Sequence, residues 1–178
     1  MNKRSLHRFL SGSVLGLAAA VLLPAAGRPP ADVEVGFAHP EKFTDLKDGS
    51  SDLDNRRGQE RFLPLLRQAI ERYAQSKLPA GRKLAITFTD IDLAGDYEPW
   101  LGLEFSDVRI VRNVYLPRLS FHFQLTDDHG RVLREGERRL VDVAFQQRIP
   151  RGLGDEPLQY EETMIRDWIG RELVDRES

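Results

Sequence analysis

The sequence predicts an α+β domain: a two-layer sandwich in which a mostly antiparallel sheet carries two helices packed on one face. Three observations lead there. Short runs alternate apolar and polar residues, most regularly Leu119-Ser120-Phe121-His122-Phe123-Gln124-Leu125, as strands with one buried face do. Two longer segments repeat apolar residues at spacings of three and four, which makes one face of a helix apolar. The order is strand, helix, strand, short strand, long hairpin, helix. Two amphipathic helices need a surface to bury their stripes, and half-apolar strands supply it.

The first 27 residues stand outside that domain. Lys3, Arg4 and Arg8 precede an apolar stretch from Phe9 to Leu23, closed by Pro24 and the small residues Ala25-Ala26-Gly27. Basic head, short apolar core and small-residue exit are the parts of a secretory signal, with cleavage expected near residue 27. Its unbroken apolar run, Val14 to Leu23, is much shorter than the ~20 residues that cross a bilayer. No later stretch is apolar enough to span, so no transmembrane segment is expected after cleavage. The expected location is periplasmic or secreted. There is no Cys, so acylation of a lipoprotein Cys is excluded, and stability in an oxidising compartment rests on packing and not on disulfides. The expected plan is a signal peptide over 1–27, a flexible leader over 28–32 and one domain over 33–178.

Charge narrows the partners. The chain holds 26 Lys and Arg against 28 Asp and Glu. Removing the signal, with its three cations and no acid, leaves 23 against 28, a net charge of −5. Phosphate binding needs an excess of cations, so nucleic acid is not the expected partner.

Val33, Val35 and Phe37 open the domain as a strand that His39-Pro40 ends. Thr44 to Asn55, rich in Asp, Gly and Ser, reads as a loop. Phe62, Leu63, Leu66, Ile70, Tyr73 and Ala74 make a helix stripe, with Pro64 expected in the first turn, where its missing N–H costs nothing. Leu78-Pro79-Ala80-Gly81 stops it. Leu84, Ile86 and Phe88 form a second strand that Asp90-Ile91-Asp92-Leu93 extends. Gly95 to Glu104 reads as a loop carrying Tyr97, Pro99 and Trp100, and Val108, Ile110 and Val111 as a short extended piece.

After the strand over 119–125, Asp127-Asp128-His129-Gly130 is a turn. The second arm runs from Arg131 to about Phe145. Its two faces are both mixed, which suits an outer strand, and Gly136 is the expected bulge. Pro150 to Gly154 is a connector. Asp155-Glu156-Pro157 starts the last helix, acids and Pro in its first turn, and Leu158, Glu161, Ile165, Trp168 and Ile169 follow helical spacing. Asp175 to Ser178 are expected to fray.

Taken together, Val35-Gly36-Phe37, Pro40 to Asp45, Thr89 to Gly95, Glu98-Pro99-Trp100, Asp107 to Arg112, Pro117-Arg118, Leu125-Thr126-Asp127 to Gly130, Glu135 to Arg138 and the Trp168 helix resemble a family of short exported bacterial proteins, the domain of unknown function 3016. The resemblance spans nearly the whole chain after the signal. It implies an exported, single-domain protein and carries no activity or site residue with it.

The candidate binding residues are Asp90, Asp92, Asp96, Glu98, Tyr97 and Trp100. The acids partly follow a calcium loop, with carboxylates at the first and third places and Gly95 at the sixth. Ala94 and Leu101 stand where ligands belong, so the other reading is acids capping turns and facing water. A second acidic stretch, Asp45, Asp48, Asp52 and Asp54, offers a weak Ca²⁺ loop or a helix N-cap. His39, His122 and His129 form no metal-spaced pair. No Cys nucleophile, Gly-x-Ser-x-Gly elbow or phosphate loop is present. Asp90 and Asp92 on one side of a strand could in principle serve hydrolase chemistry, but any acidic strand gives that spacing. Trp100 is either an exposed anchor for a partner or sugar or a lid folded over the core, and the lid is the default for a large aromatic. Arg131, Arg134, Arg138 and Arg139 interleave with Glu135, Glu137 and Asp142, which favours a solvated edge strand over an anion-binding arm.

The leading expectation is a non-enzymatic binding or accessory protein of the cell envelope, contacting an envelope protein or a small ligand. The alternative is a small Ca-type metal-binding protein using Asp90–Glu98, and a hydrolase comes third.

Overall fold

The computed structural model describes residues 29–50, 54–147 and 157–174. Its main sheet has four strands: β1 (Asp32–Phe37), β2 (Lys83–Asp92), β5 (Arg118–Thr126) and β6 (Val132–Val141), in the order β1-β2-β5-β6. β1 runs parallel to β2, and the other pairings are antiparallel. Two short strands, β3 (Asp96–Tyr97) and β4 (Arg109–Ile110), pair separately.

Helices α1 (Asp54–Lys77) and α2 (Gln159–Trp168) lie against one face. The alternation seen in the sequence is the reason. Val33, Val35, Leu84, Ile86, Phe88, Leu119, Phe121, Phe123 and Leu125 all point to that face and are buried with Phe62, Leu66, Ile70, Ile165 and Trp168. Trp168 is the centre of the packing, edge-on to Phe121 and Phe123 at 4.7 and 4.9 Å. The opposite face, with Thr87, Thr89, His122, Gln124, Glu135 and Glu137, is open to water. Each edge strand gives one backbone carbonyl to an arginine side chain: Arg67 donates to Val35 on β1 and Arg138 to Glu137 on β6. That occupies groups which would otherwise invite another strand.

Pro64 is not in the first turn. α1 begins ten residues earlier, at Asp54, because its first turns dock on the preceding loop. The Asp48 N–H donates to Asp54 O, Arg61 pairs with Asp48 at 2.6 Å, and Gly58 sits against Leu46 so closely that a Cβ would come within 1.5 Å of its carbonyl. Pro64 and Glu60 both lie on the exposed side of α1, where a carbonyl that loses its helical partner is open to water. Pro157 likewise precedes the helix it was expected to enter, since α2 starts at Gln159, and a π-helical turn, Ile169–Val174, continues it. Asp155, Glu156, the connector over 150–154 and the C-terminal residues 175–178 lie outside the described residues.

The bulge in the hairpin falls at Leu133 and not at Gly136, which pairs in register with Phe123. Arg134 and Arg138 leave the solvated role: both donate to Glu172 in the π-helical turn. Among the described residues, no helix is long and apolar enough to cross a membrane.

Candidate functional site

The candidate residues lie along the C-terminal end of β2 and the segment that follows it. A second bulge, between Phe88 and Asp90, makes this possible. Strict alternation from Phe88 would turn Asp90 into the core. The extra residue resets the parity, so Ile91 is fully buried while Asp90 and Asp92 turn outward. Asp90 then accepts from the Thr44 N–H at 2.8 Å and the Thr44 hydroxyl at 2.9 Å. Asp92 pairs with Arg118, its cross-strand neighbour, at 3.1 Å. Partial burial raises the Asp92 pKa, Asp45 and Asp90 add to the rise, and Arg118 works against it.

From here the chain leaves the sheet as a lobe, residues 95–116, built on the β3–β4 pair. Arg109 is its root. Its guanidinium donates to Asp45 through two nitrogens, at 2.8 and 3.3 Å, and to the Gly95 and Lys47 carbonyls at 2.7 and 2.8 Å. It also lies over the Tyr97 ring, 4.9 Å from the centroid. Burial raises the Tyr97 pKa while Arg109 opposes the rise. Gly95 takes a φ of 81°, and a Cβ there would meet the Ile110 carbonyl at 2.8 Å, so the turn into the lobe requires glycine.

Two carboxylates hold the lobe, Glu98 from inside and Glu161 at the residue that leads into it. Glu98 is buried; it accepts from Arg112 at 2.8 Å and from the Tyr115 hydroxyl at 2.9 Å. Glu161, in the first turn of α2, accepts the Ala94 N–H at 2.7 Å. Complete burial pushes the Glu161 pKa up to about 7, against the pull of the Ala94 hydrogen bond.

The far end of the lobe is apolar and exposed. Two 3-10 turns, Pro99–Leu101 and Leu103–Phe105, are joined by Gly102, around which a Cβ would meet nothing within 4 Å. Trp100 is 70% exposed and Leu103 95%. The lid expectation for Trp100 is therefore corrected: the first turn closes through the Glu98 and Pro99 carbonyls and the second through those of Gly102 and Leu103, and the indole is left outside the core. Of eleven exposed large apolar side chains among the described residues, seven lie between Trp100 and Val114. Isolated apolar side chains on a surface are ordinary, but here most of them are gathered on one lobe.

At the base of the lobe is a cleft of about 270 Å³ bordered by Thr44, Lys47, Asp92, Asp96, Tyr115 and Arg118. A wider, shallower hollow of about 510 Å³ lies on the open sheet face around Thr87, His122, Gln124 and Glu137.

Of the residues singled out in the sequence, Asp92 and Asp96 face the cleft, Tyr97 and Glu98 build the lobe, Trp100 caps its tip, and Asp90 ties the loop before α1. Asp96 accepts the Tyr97 N–H. The acids do not converge on a common point: Asp90, Asp92 and Glu98 each bind different protein donors. Among the described residues no group of three or more His, Asp or Glu could hold a metal ion. In the second acidic stretch, Asp45, Asp48 and Asp54 pair with Arg109, Arg61 and Arg57, and Asp52 lies outside the described residues. Arg109, Arg112, Tyr115 and Glu161 were not singled out as functional. The one signal for Glu161 was an acid in the apolar stripe of the last helix.

The family described as Protein of unknown function (DUF3016) matches residues 31–171. A comparison with curated proteins found no match.

Proposed function

This chain belongs to the DUF3016 family, and we propose that it is an exported, non-catalytic binding protein of the cell envelope, which docks on an envelope protein through the tip of its β3–β4 lobe. One observation carries the reading. Seven exposed apolar side chains sit on a lobe whose root is fixed by Arg109, Glu98 and Glu161. A loop that exposed its apolar residues through looseness alone would not need a largely buried ion pair and two buried carboxylates beneath it. Rigid presentation of an aromatic anchor lowers the entropy lost on binding. The carboxylates that drew attention as catalytic or metal groups are bound to Thr44, Arg118, Arg112 and Tyr115, which supports a structural role for them. The N-terminal pattern supports export.

Cross-linking of intact cells, followed by isolation of the protein from the envelope fraction, tests the reading. The wild type is expected to yield a discrete cross-linked species, and Trp100→Ala to reduce it at least ~10-fold, the scale of a hot-spot truncation, with its melting temperature unchanged. An undiminished species in Trp100→Ala overturns the proposal.

A further inference from the structure

We propose that the surface taken by the lobe tip is an apolar protein segment flanked by Lys or Arg, and not a lipid bilayer. The inference rests on the docking reading above and adds the charge of the partner.

The tip, residues 99–108, contains two carboxylates and no Lys or Arg. Glu104 lies between Leu103 and Phe105, and Asp107 directly precedes Val108; both acids are exposed. Among the described residues neither has an ion-pair partner. The nearest cations in the chain are already neutralised, Arg109 by Asp45 and Arg112 by Glu98.

Glu104 belongs to the same 3-10 turn as Leu103 and Phe105, and Asp107 follows that turn by two residues, so a partner that covers the apolar side chains comes up beside these two carboxylates. Desolvating an unpaired charge is strongly unfavourable. A purely apolar cover leaves that cost uncompensated, and an anionic leaflet adds repulsion. A segment that places cations beside its apolar residues pairs the carboxylates and speeds encounter. The tip thus fits the apolar face of a basic amphipathic segment.

The chain has two Trp residues, of which Trp168 is buried and Trp100 exposed, so a blue shift of Trp emission reports cover at the tip. The purified protein is titrated with three 15-residue amphipathic helical peptides that share a Leu face and carry Lys, Gln or Glu on the polar face. The Lys peptide is expected to bind at least ~10-fold more tightly than the Glu peptide, a difference of ~1.4 kcal/mol. The double variant Glu104→Gln, Asp107→Asn should lose that discrimination while still binding the Gln peptide, and Leu103→Ser should weaken all three. Equal binding of the Lys and Glu peptides overturns the inference, as does discrimination that survives in the double variant, or a Lys peptide that Leu103→Ser binds unchanged. A larger blue shift with phosphatidylcholine vesicles, or with 3:1 phosphatidylcholine–phosphatidylglycerol vesicles, than with the Lys peptide assigns the tip to lipid and overturns it too. If no peptide binds, the inference fails while the docking reading still stands or falls on the cross-linking.

Discussion

Arg109 and Asp45, 64 residues apart in the chain, close a two-nitrogen ion pair at 2.8 and 3.3 Å beneath the lobe. Asp45 also bridges to Asp92, the last residue of β2, in a parallel contact. The loop before α1, the end of the sheet and the lobe therefore meet at one guanidinium.

Arg109→Met removes the donors to Asp45, Gly95 and Lys47 and leaves a largely buried carboxylate without its cation. Breaking such a pair costs about 3 kcal/mol or more. Urea unfolding should show that loss, and hydrogen exchange should speed up across residues 95–116 more than in β5. An unchanged midpoint would deny Arg109 its role as root.

Glu161 makes stability depend on pH in a defined direction. Its carboxyl has a pKa of about 7 when folded against an ordinary 4.5, so between those values the folded state holds the proton more tightly than the unfolded state. The stabilising contribution is complete below 4.5 and is lost as pH rises through about 7. The loss amounts to about 3 kcal/mol. Arg109 and Glu162 act on the same carboxyl in opposite senses. Glu161→Gln keeps an acceptor for Ala94 and removes the titration. Unfolding free energies of wild type minus variant should therefore fall between pH 4.5 and 7.5; a flat difference contradicts the assignment.

The two tryptophans should behave oppositely. Trp168→Ala empties the centre of the core and should cost about 3–5 kcal/mol. Trp100→Ala removes a side chain that is 70% exposed and should change stability by less than about 0.5 kcal/mol. Thermal melts distinguish them, and acrylamide should quench Trp100 selectively.

Gly58→Ala inverts a familiar expectation. Within a helix Ala is normally better than Gly by up to ~1 kcal/mol. Here the new methyl would meet the Leu46 carbonyl at 1.5 Å, so the variant should lose about 1–3 kcal/mol as an overpacked site does. A melting point equal to or above wild type would show that the loop before α1 does not bear on the helix.

The layers of the fold were legible because they obey two short periods. The alternation over 119–125 and the stripe from Phe62 to Ala74 match the buried faces that the structure has. The lobe was not legible in the same way. The bulge between Phe88 and Asp90 breaks the period at the residues that lead into it, and β3 and β4 are two residues each, too short for a pattern. Pro64 misled because helix docking on Leu46 outweighed the position that its ring prefers. Trp100 misled because its burial was inferred from its size, whereas two 3-10 turns hold it away from the core. Arg109 and Glu161 act through partners 64 and 67 residues distant, and no local spacing announces such pairs.

Position-specific photo-crosslinking in the native envelope tests the central claim most directly. A photoreactive amino acid replaces Leu103 at the tip or, as a control, Thr87 on the open sheet face. A discrete adduct from position 103, absent from position 87 and lost when Trp100→Ala is added, is the predicted result. An adduct from position 87 and none from position 103 would move the binding surface to the sheet and contradict the account.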